Sequence, residues 1–329
     1  MVNSRVKLAR EYGTHTMSMM VTPTLGWYWR EHRLMGNYLD TNWLTLYLYD
    51  DEGSTYQFMR AMQKNTSAKV FMRKTAADGT VSVIGPRYTG YMWYAYNEAG
   101  DGIVMRSYDD DPNTTFRLDI KPQHYHYVDN DDIDVEIEAL GPGNSFAVLG
   151  NPDGLDETVT YWEERGRVTG TVCGKPVTGY SFYDRCYLQG NKAWHQAKQY
   201  LAVHEMDVPF VTEYEDGSVI YGDFKKGVDD FAVGYVVIDG KIYHDDHYKI
   251  DITWNEETQH FKYVDFECAG MKLRYNVEFD MPDPEATRAT IAHLAGTVTI
   301  VGDDRKVVRS IGWSECRPKF ALEEAAGTS

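Results

Sequence analysis

A carboxylate and a guanidinium stand side by side at Asp184–Arg185, at the end of a run that reads as strand, turn and strand. Trp162 to Val172 forms the first strand of that reading, Cys173 to Pro176 the turn, and Val177 to Tyr183 the return. Such a pair at a strand end can orient a substrate and place a proton; the competing reading is a structural ion pair at a barrel mouth. Tyr183 and Tyr187 flank it. Trp194 and His195 follow closely, then His204 and Glu205. Successive strands of an antiparallel sheet tend to be neighbours, so His195 and Glu205 are expected to face the cavity that Asp184 faces. Imidazole titrates near neutrality and is the usual proton shuttle. A hydrogen-bonded structural histidine is the alternative.

Other constellations carry less. Tyr88, Tyr91, Trp93, Tyr94 and Tyr96 form an aromatic run. Its alternate members are expected to line an interior, with Tyr91 and Trp93 contacting substrate; plain core packing competes. A wall of π faces also stabilises a developing carbocation. His124-x-His126 and His244-Asp-Asp-His247 offer nitrogen and oxygen ligands. Nothing supplies the remaining ligands at a recognisable spacing, so no metal site is assigned. The chain has no Gly-x-Gly-x-x-Gly after a strand, no P-loop and no Gly-x-Ser-x-Gly elbow. Nicotinamide, nucleoside-triphosphate and serine-hydrolase chemistry are therefore disfavoured, and no cofactor is expected.

The elements that must position these groups are strands. Leu44, Leu46 and Leu48 alternate with Trp43, Thr45, Tyr47 and Tyr49, the period of a strand with two different faces. Asp50–Gly53 reads as a turn and Tyr56 to Met62 as the return. Asp239-Gly240 is the clearest hairpin signal, between Tyr235–Ile238 and Lys241–Tyr243. Short strands joined by Gly- and Asp-rich turns suit antiparallel barrels or sandwiches. Leu140 to Asp156, rich in Gly and Pro, reads as a linker and divides the chain into domains 1–145 and 156–329. Asp283 to Ala295 is expected to add a short helix. Asn191 to His204 fits helix or strand equally.

Composition bounds the function. The chain has 329 residues, 43% of them hydrophobic, enough for two cored domains. Its 25 Tyr, 12 Phe and 8 Trp favour strands and apolar ligand pockets. A net charge of −17 repels phosphate backbones and anionic bilayers, which disfavours nucleic-acid and membrane partners. Met1 to Arg10 lacks the apolar core of a signal peptide, and no run approaches the roughly 20 apolar residues of a bilayer span. Cys173, Cys186, Cys268 and Cys316 form no CxxC pair and read as reduced thiols of a cytoplasmic protein.

In overall pattern most of the chain resembles the AttH and hydroxyneurosporene-synthase (carotenoid 1,2-hydratase) family, related in architecture to fungal Diels–Alderases. The resemblance is most specific at a strand pair ending in a Gly-x-Gly-x-x-Asp-His-type motif. Gly179 and Asp184 match it, while Ser181, Arg185 and Tyr187 stand at its second Gly, His and Trp positions. The resemblance implies a mainly β protein of two lipocalin-like antiparallel barrel or sandwich domains. It further implies a cofactor-independent cyclase, isomerase or hydratase acting on a hydrophobic, natural-product or terpenoid-like molecule of secondary metabolism. Shape templating by aromatic walls would be assisted by acid–base groups. Asp184, Arg185, Tyr183 and His195 are the expected catalytic residues, and Tyr91, Trp93, Tyr187, Trp194 and Glu205 the expected substrate contacts. A non-catalytic carrier of the same fold is the alternative. The oligomeric state is not legible.

Overall fold

The computed structural model describes residues 19–34, 36–85, 87–108, 115–148, 159–188, 206–226, 232–244, 249–281, 292–317 and 319. Among the described residues, strands dominate and collect into two sheets, one of 14 strands and one of nine. Each belongs to its own compact unit.

Ten strands of the first sheet close on themselves. The circuit runs Asn37–Asp50, Thr55–Met62, Thr66–Thr75, Tyr88–Tyr96, Ile103–Ser107, Phe116–Lys121, His124–Asp129 and Ile133–Ala139. It then passes to Val159–Val172 and Lys175–Leu188, and back to Asn37–Asp50, antiparallel at every step. The four remaining strands lie off this ring. Alternation of side chains explains the closure. Leu44, Leu46 and Leu48 point inward with Phe58, Met105, Leu118, Val135 and Val168, and pack one core. The Asp50–Gly53 turn and the returning strand form as the sequence predicts.

The last two staves correct the expected division of the chain. Val159–Val172 and Lys175–Leu188 form a long hairpin around Cys173 and Gly174, both at positive φ, as a tight two-residue turn requires. One edge of this hairpin pairs with Ile133–Ala139 and the other with Asn37–Asp50. Residues 159–188 therefore complete the first barrel instead of opening the second domain. The expected linker also holds a strand, Gly143–Val148, whose Gly143–Ser145 pair with Met19–Val21.

The second sheet is an open, curled one. Its order is Lys241–Tyr243, Ala232–Ile238, Val219–Lys226, Met206–Tyr214, Val307–Cys316, Ala292–Ile300, Met271–Met281, Phe261–Cys268, Lys249–Trp254. Its core includes a run of rings: Phe210 stacks on Phe224 at 5.8 Å, and Phe224 on Phe266 at 4.2 Å. The Asp239-Gly240 hairpin forms as its sequence predicts. The helix expected over 283–295 does not extend to its end, because Ala292–Ile300 is a strand; residues 282–291 lie outside the described residues. Residues 191–204 lie outside them too. Among the described residues, no helix is long and apolar enough to cross a membrane.

Candidate functional site

The inward face of the 159–188 hairpin carries an uncommon set of side chains. Strand parity sends Trp162, Glu164, Gly166 and Val168 inward from one arm and Ser181, Tyr183, Arg185 and Tyr187 from the other. Glu164 sits opposite Tyr183, and Gly166 opposite Ser181. A 3-10 turn, Leu25–Tyr28, adds Tyr28 to the same interior.

Glu164 is the centre of this group, and it is almost completely buried. Tyr28 donates its phenolic proton to Glu164 Oε2 at 3.3 Å. The Tyr28 oxygen in turn accepts from Tyr125 OH at 3.1 Å and from the Gln123 backbone N–H at 3.3 Å. Among the described residues, no protein group hydrogen-bonds to Glu164 Oε1. Burial pushes the Glu164 carboxyl up to about 8, against the smaller opposing effect of the Tyr28 hydrogen bond. At neutral pH the side chain is therefore mostly a neutral acid. Because Tyr28 donates to Oε2, the acid's own proton belongs on Oε1, the oxygen without a protein partner.

Aromatic rings enclose the acid. Tyr28 meets Trp162 edge-on at 5.6 Å and Tyr125 at 5.8 Å. Tyr183 lies 5.4 Å from Tyr125 and 6.2 Å from Trp162. Gly143 permits this packing, since a Cβ there would fall 2.5 Å from Trp162 Nε1. Tyr183 OH donates to Asn42 Oδ1 at 3.1 Å, and burial raises its pKa well above that of free tyrosine.

Arg185 holds the turn that carries Tyr28. Its guanidinium donates to the carbonyl oxygens of Trp27 and of Trp29, the latter at 3.2 Å. Tyr94 OH donates to the Tyr28 carbonyl. Next to them His32 Nδ1 and Tyr187 OH share a hydrogen bond of 3.0 Å. Burial, and then the Arg185 charge, lower the His32 pKa to about 4, so the ring is neutral at physiological pH. Burial pushes Tyr187 up to about 12 although Arg185 opposes it.

A second buried polar group lies in the same barrel. Asp129 Oδ2 accepts from Arg60 Nη2 and from Tyr127 OH, both at 2.5 Å, while Lys69 Nζ lies 2.9 Å from Asp129 Oδ1. Arg60 also donates to Tyr127 OH at 2.7 Å and stacks on Phe116. Every acceptor in this cluster is engaged by a cation or phenol, the pattern of an internal brace.

The expected site residues are distributed differently. Tyr183, Arg185 and Tyr187 come together inside the barrel. Asp184 does not join them, because adjacent residues of a strand face opposite ways. It lies on the outer face, where Arg165 Nη1 donates to its Oδ1 at 3.1 Å and Arg165 Nη2 reaches Glu163 at 3.1 Å. The aromatic run faces oppositely to the expectation: Met92 and Tyr94 are buried, whereas Tyr91 is 68% and Trp93 49% exposed. Trp93 stacks instead on Tyr108, at 5.2 Å. His124 and His126 lie on the outer face beside Glu136 (3.1 Å) and Asp134 (2.8 Å). Trp194, His195, Glu205 and His247 lie outside the described residues.

Glu164, Tyr28, Tyr125 and Trp162 were not legible as a site. The available signal was parity: Trp162, Glu164, Gly166 and Val168 place one acid on an otherwise apolar face of a strand.

The fold is that of a lipocalin-like β protein, a closed barrel followed by a curled sheet. The crystal structure of a candidate AttH from Nitrosomonas europaea has this architecture, with a TM-score of 0.53 at 13% identity over 92% of this chain and 100% of that one. Kievitone hydratase from Nectria haematococca aligns with a TM-score of 0.41 at 9% identity, covering 90% of this chain and 92% of that one. The fold expected from the resemblance to the AttH-like family is thus the fold found. No protein-family model and no curated sequence matches the chain.

Proposed function

We propose that the first barrel is the active site of a cofactor-independent enzyme that performs acid–base chemistry on a hydrophobic small molecule. The observation that carries this reading is Glu164: a buried neutral acid, ringed by aromatic faces, whose Oε1 has no protein partner. Glu164 takes the proton-handling role expected of Asp184. A carboxylic acid in such a setting can protonate a carbon–carbon double bond. The positive charge that develops on the substrate is stabilised by the faces of Tyr28, Tyr125, Tyr183 and Trp162. Loss of a different proton completes an isomerisation, attack by a second double bond a cyclisation, and attack by water a hydration. In each case the base that remains is the Glu164 carboxylate, steadied by the Tyr28 phenol. The proton comes from the protein itself, so the chemistry needs no bound cofactor. Tyr94 and Arg185 act through position, by holding the turn that presents Tyr28.

A carrier of the same fold is the second reading, supported by the aromatic side chains gathered inside the first barrel. Native mass spectrometry of freshly purified protein, with denaturing extraction of any bound molecule, tests both. Turnover of the extracted molecule by wild type and its loss in Glu164→Gln is the expected result. Retention of a ligand that neither protein alters would establish the carrier and sink the enzyme.

A further inference from the structure

Two buried polar atoms on diagonally adjacent inward positions of the barrel have no protein hydrogen-bond partner among the described residues, and the long Glu164 side chain can span such a diagonal. Glu164 and Gly166 are successive inward residues of one strand, and Tyr183 and Ser181 are their partners on the next. Gly166 has no side chain, and Ser181 leans into that place: a Cβ on Gly166 would lie 2.6 Å from Ser181 Oγ and 2.6 Å from Ile137 Cγ2. Ser181 is 1% exposed, and among the described residues no protein group hydrogen-bonds to its Oγ. Glu164 Oε1, on the diagonal neighbour, is in the same condition. A buried hydroxyl and a buried carboxyl oxygen left unbonded cost free energy comparable to several lost hydrogen bonds. Orphaned groups that share a niche are satisfied together by a single oxygen placed between them.

We infer that Glu164 Oε1 and Ser181 Oγ form a binding niche for one neutral oxygen, either a water or the hydroxyl of a bound molecule. The protonated carboxyl donates to this oxygen, and the serine hydroxyl either accepts from it or donates to it. Ile137 Cγ2 supplies an apolar contact on the Gly166 side of the niche. The reaction it implies rests on the acid–base reading of Glu164. With water in the niche that reaction is a hydration. The carboxyl proton passes to one carbon of a double bond, whose π electrons form the new C–H bond. The water oxygen then bonds to the cationic carbon, and one of its protons returns to the carboxylate. Alkene and water become an alcohol, with the acid regenerated and no oxidant or reductant involved. Ser181 is the positioning residue that keeps the oxygen beside the acid.

The test is a crystal structure of the full chain, together with infrared difference spectra of the Glu164 carboxyl. The carboxyl band is identified by its loss in Glu164→Gln. Density for one oxygen within hydrogen-bonding distance of both atoms is expected, and Ser181→Ala should abolish it and shift the carboxyl band. Isolated density identifies water; density continuous with a larger molecule identifies a ligand hydroxyl. Direct bonding of Ser181 Oγ to Glu164, or an empty niche with a carboxyl band unmoved by Ser181→Ala, overturns the inference. Full turnover by Glu164→Gln would defeat the acid–base reading instead and leave the niche standing.

Discussion

Tyr28 and Glu164 are 136 positions apart in the chain, yet the phenol of one donates to the carboxyl of the other inside the closed barrel. The contact joins two separate devices. Glu164 rides on a strand locked by pairing on both edges, whereas Tyr28 rides on a short turn fastened by Arg185 and Tyr94. One half of the couple is fixed by the sheet and the other by three side-chain-to-carbonyl hydrogen bonds, and this asymmetry decides which substitutions matter.

Glu164→Gln should change stability with a definite pH signature. The folded-state pKa, about 8, lies above the ordinary 4.5, so the folded protein holds a proton the unfolded chain has released. The stabilisation from this group is complete below pH 4.5 and is lost as pH rises through 8. Glutamine stays neutral throughout. The variant should match wild type in acid and exceed it by several kcal/mol in alkali, as urea unfolding at a series of pH values will show.

His32 contributes the opposite slope. Its folded pKa, about 4, lies below the ordinary 6.5, so its stabilisation is present above 6.5 and is lost as pH falls through 4. From pH 4.5 to 6.5 the two opposing slopes cancel, so together the groups place a plateau of maximal stability there. His32→Asn should remove the acid limb and let the Glu164 decline begin near pH 4.5, a difference that thermal unfolding against pH resolves.

Arg185→Met should release the turn. Two charge-assisted hydrogen bonds to the carbonyls of Trp27 and Trp29 are lost together, at about 2–4 kcal/mol. Arg185→Lys should recover only part of that, because an ammonium cannot fork between two carbonyls as a guanidinium does. Amide hydrogen exchange of residues 24–32 is the appropriate readout: faster exchange there, with the sheet unchanged, is expected.

Asp129→Asn should be among the most damaging substitutions in the barrel. It leaves Arg60 and Lys69 buried without their shared counter-charge, at about 3–5 kcal/mol. Replacing Arg60, Lys69 and Asp129 together with apolar residues of similar volume should restore most of the loss in chemical unfolding.

Much of the fold could be read from alternation alone. Leu44, Leu46 and Leu48 share the inward face their spacing predicts, and Asp239-Gly240 turns where its residue types require. Met206–Tyr214 and Val219–Lys226 escaped notice because their polar and apolar residues do not alternate cleanly, whereas Lys249–Trp254, with Ile250, Ile252 and Trp254 alternating with polar residues, carried a readable signal that was passed over. Val208, Pro209, Phe210 and Val211 are all buried, so that strand is covered on both faces. The site was less legible. Tyr91 and Trp93 drew attention as aromatics, but parity with buried Met92 and Tyr94 turns them outward. Glu163-Glu164-Arg165 falls inside the strand read over Trp162 to Val172, but three adjacent charges do not by themselves announce which of them faces inward. Parity with Trp162 and Val168 puts the middle residue on the inward face, and closure of the ring buries it.

The ring closes last with residues made late. Until the 159–188 hairpin has been synthesised, Asn37–Asp50 and Ile133–Ala139 are two unmatched edges of an unfinished cylinder. A nascent chain carrying only the first 145 residues therefore presents raw margins to any neighbouring polypeptide on the ribosome. Its acid, Glu164, is not yet made, and its Tyr28 turn lacks the Arg185 that fastens it. The closed ring, and the Tyr28–Glu164 contact inside it, require that hairpin between the two margins.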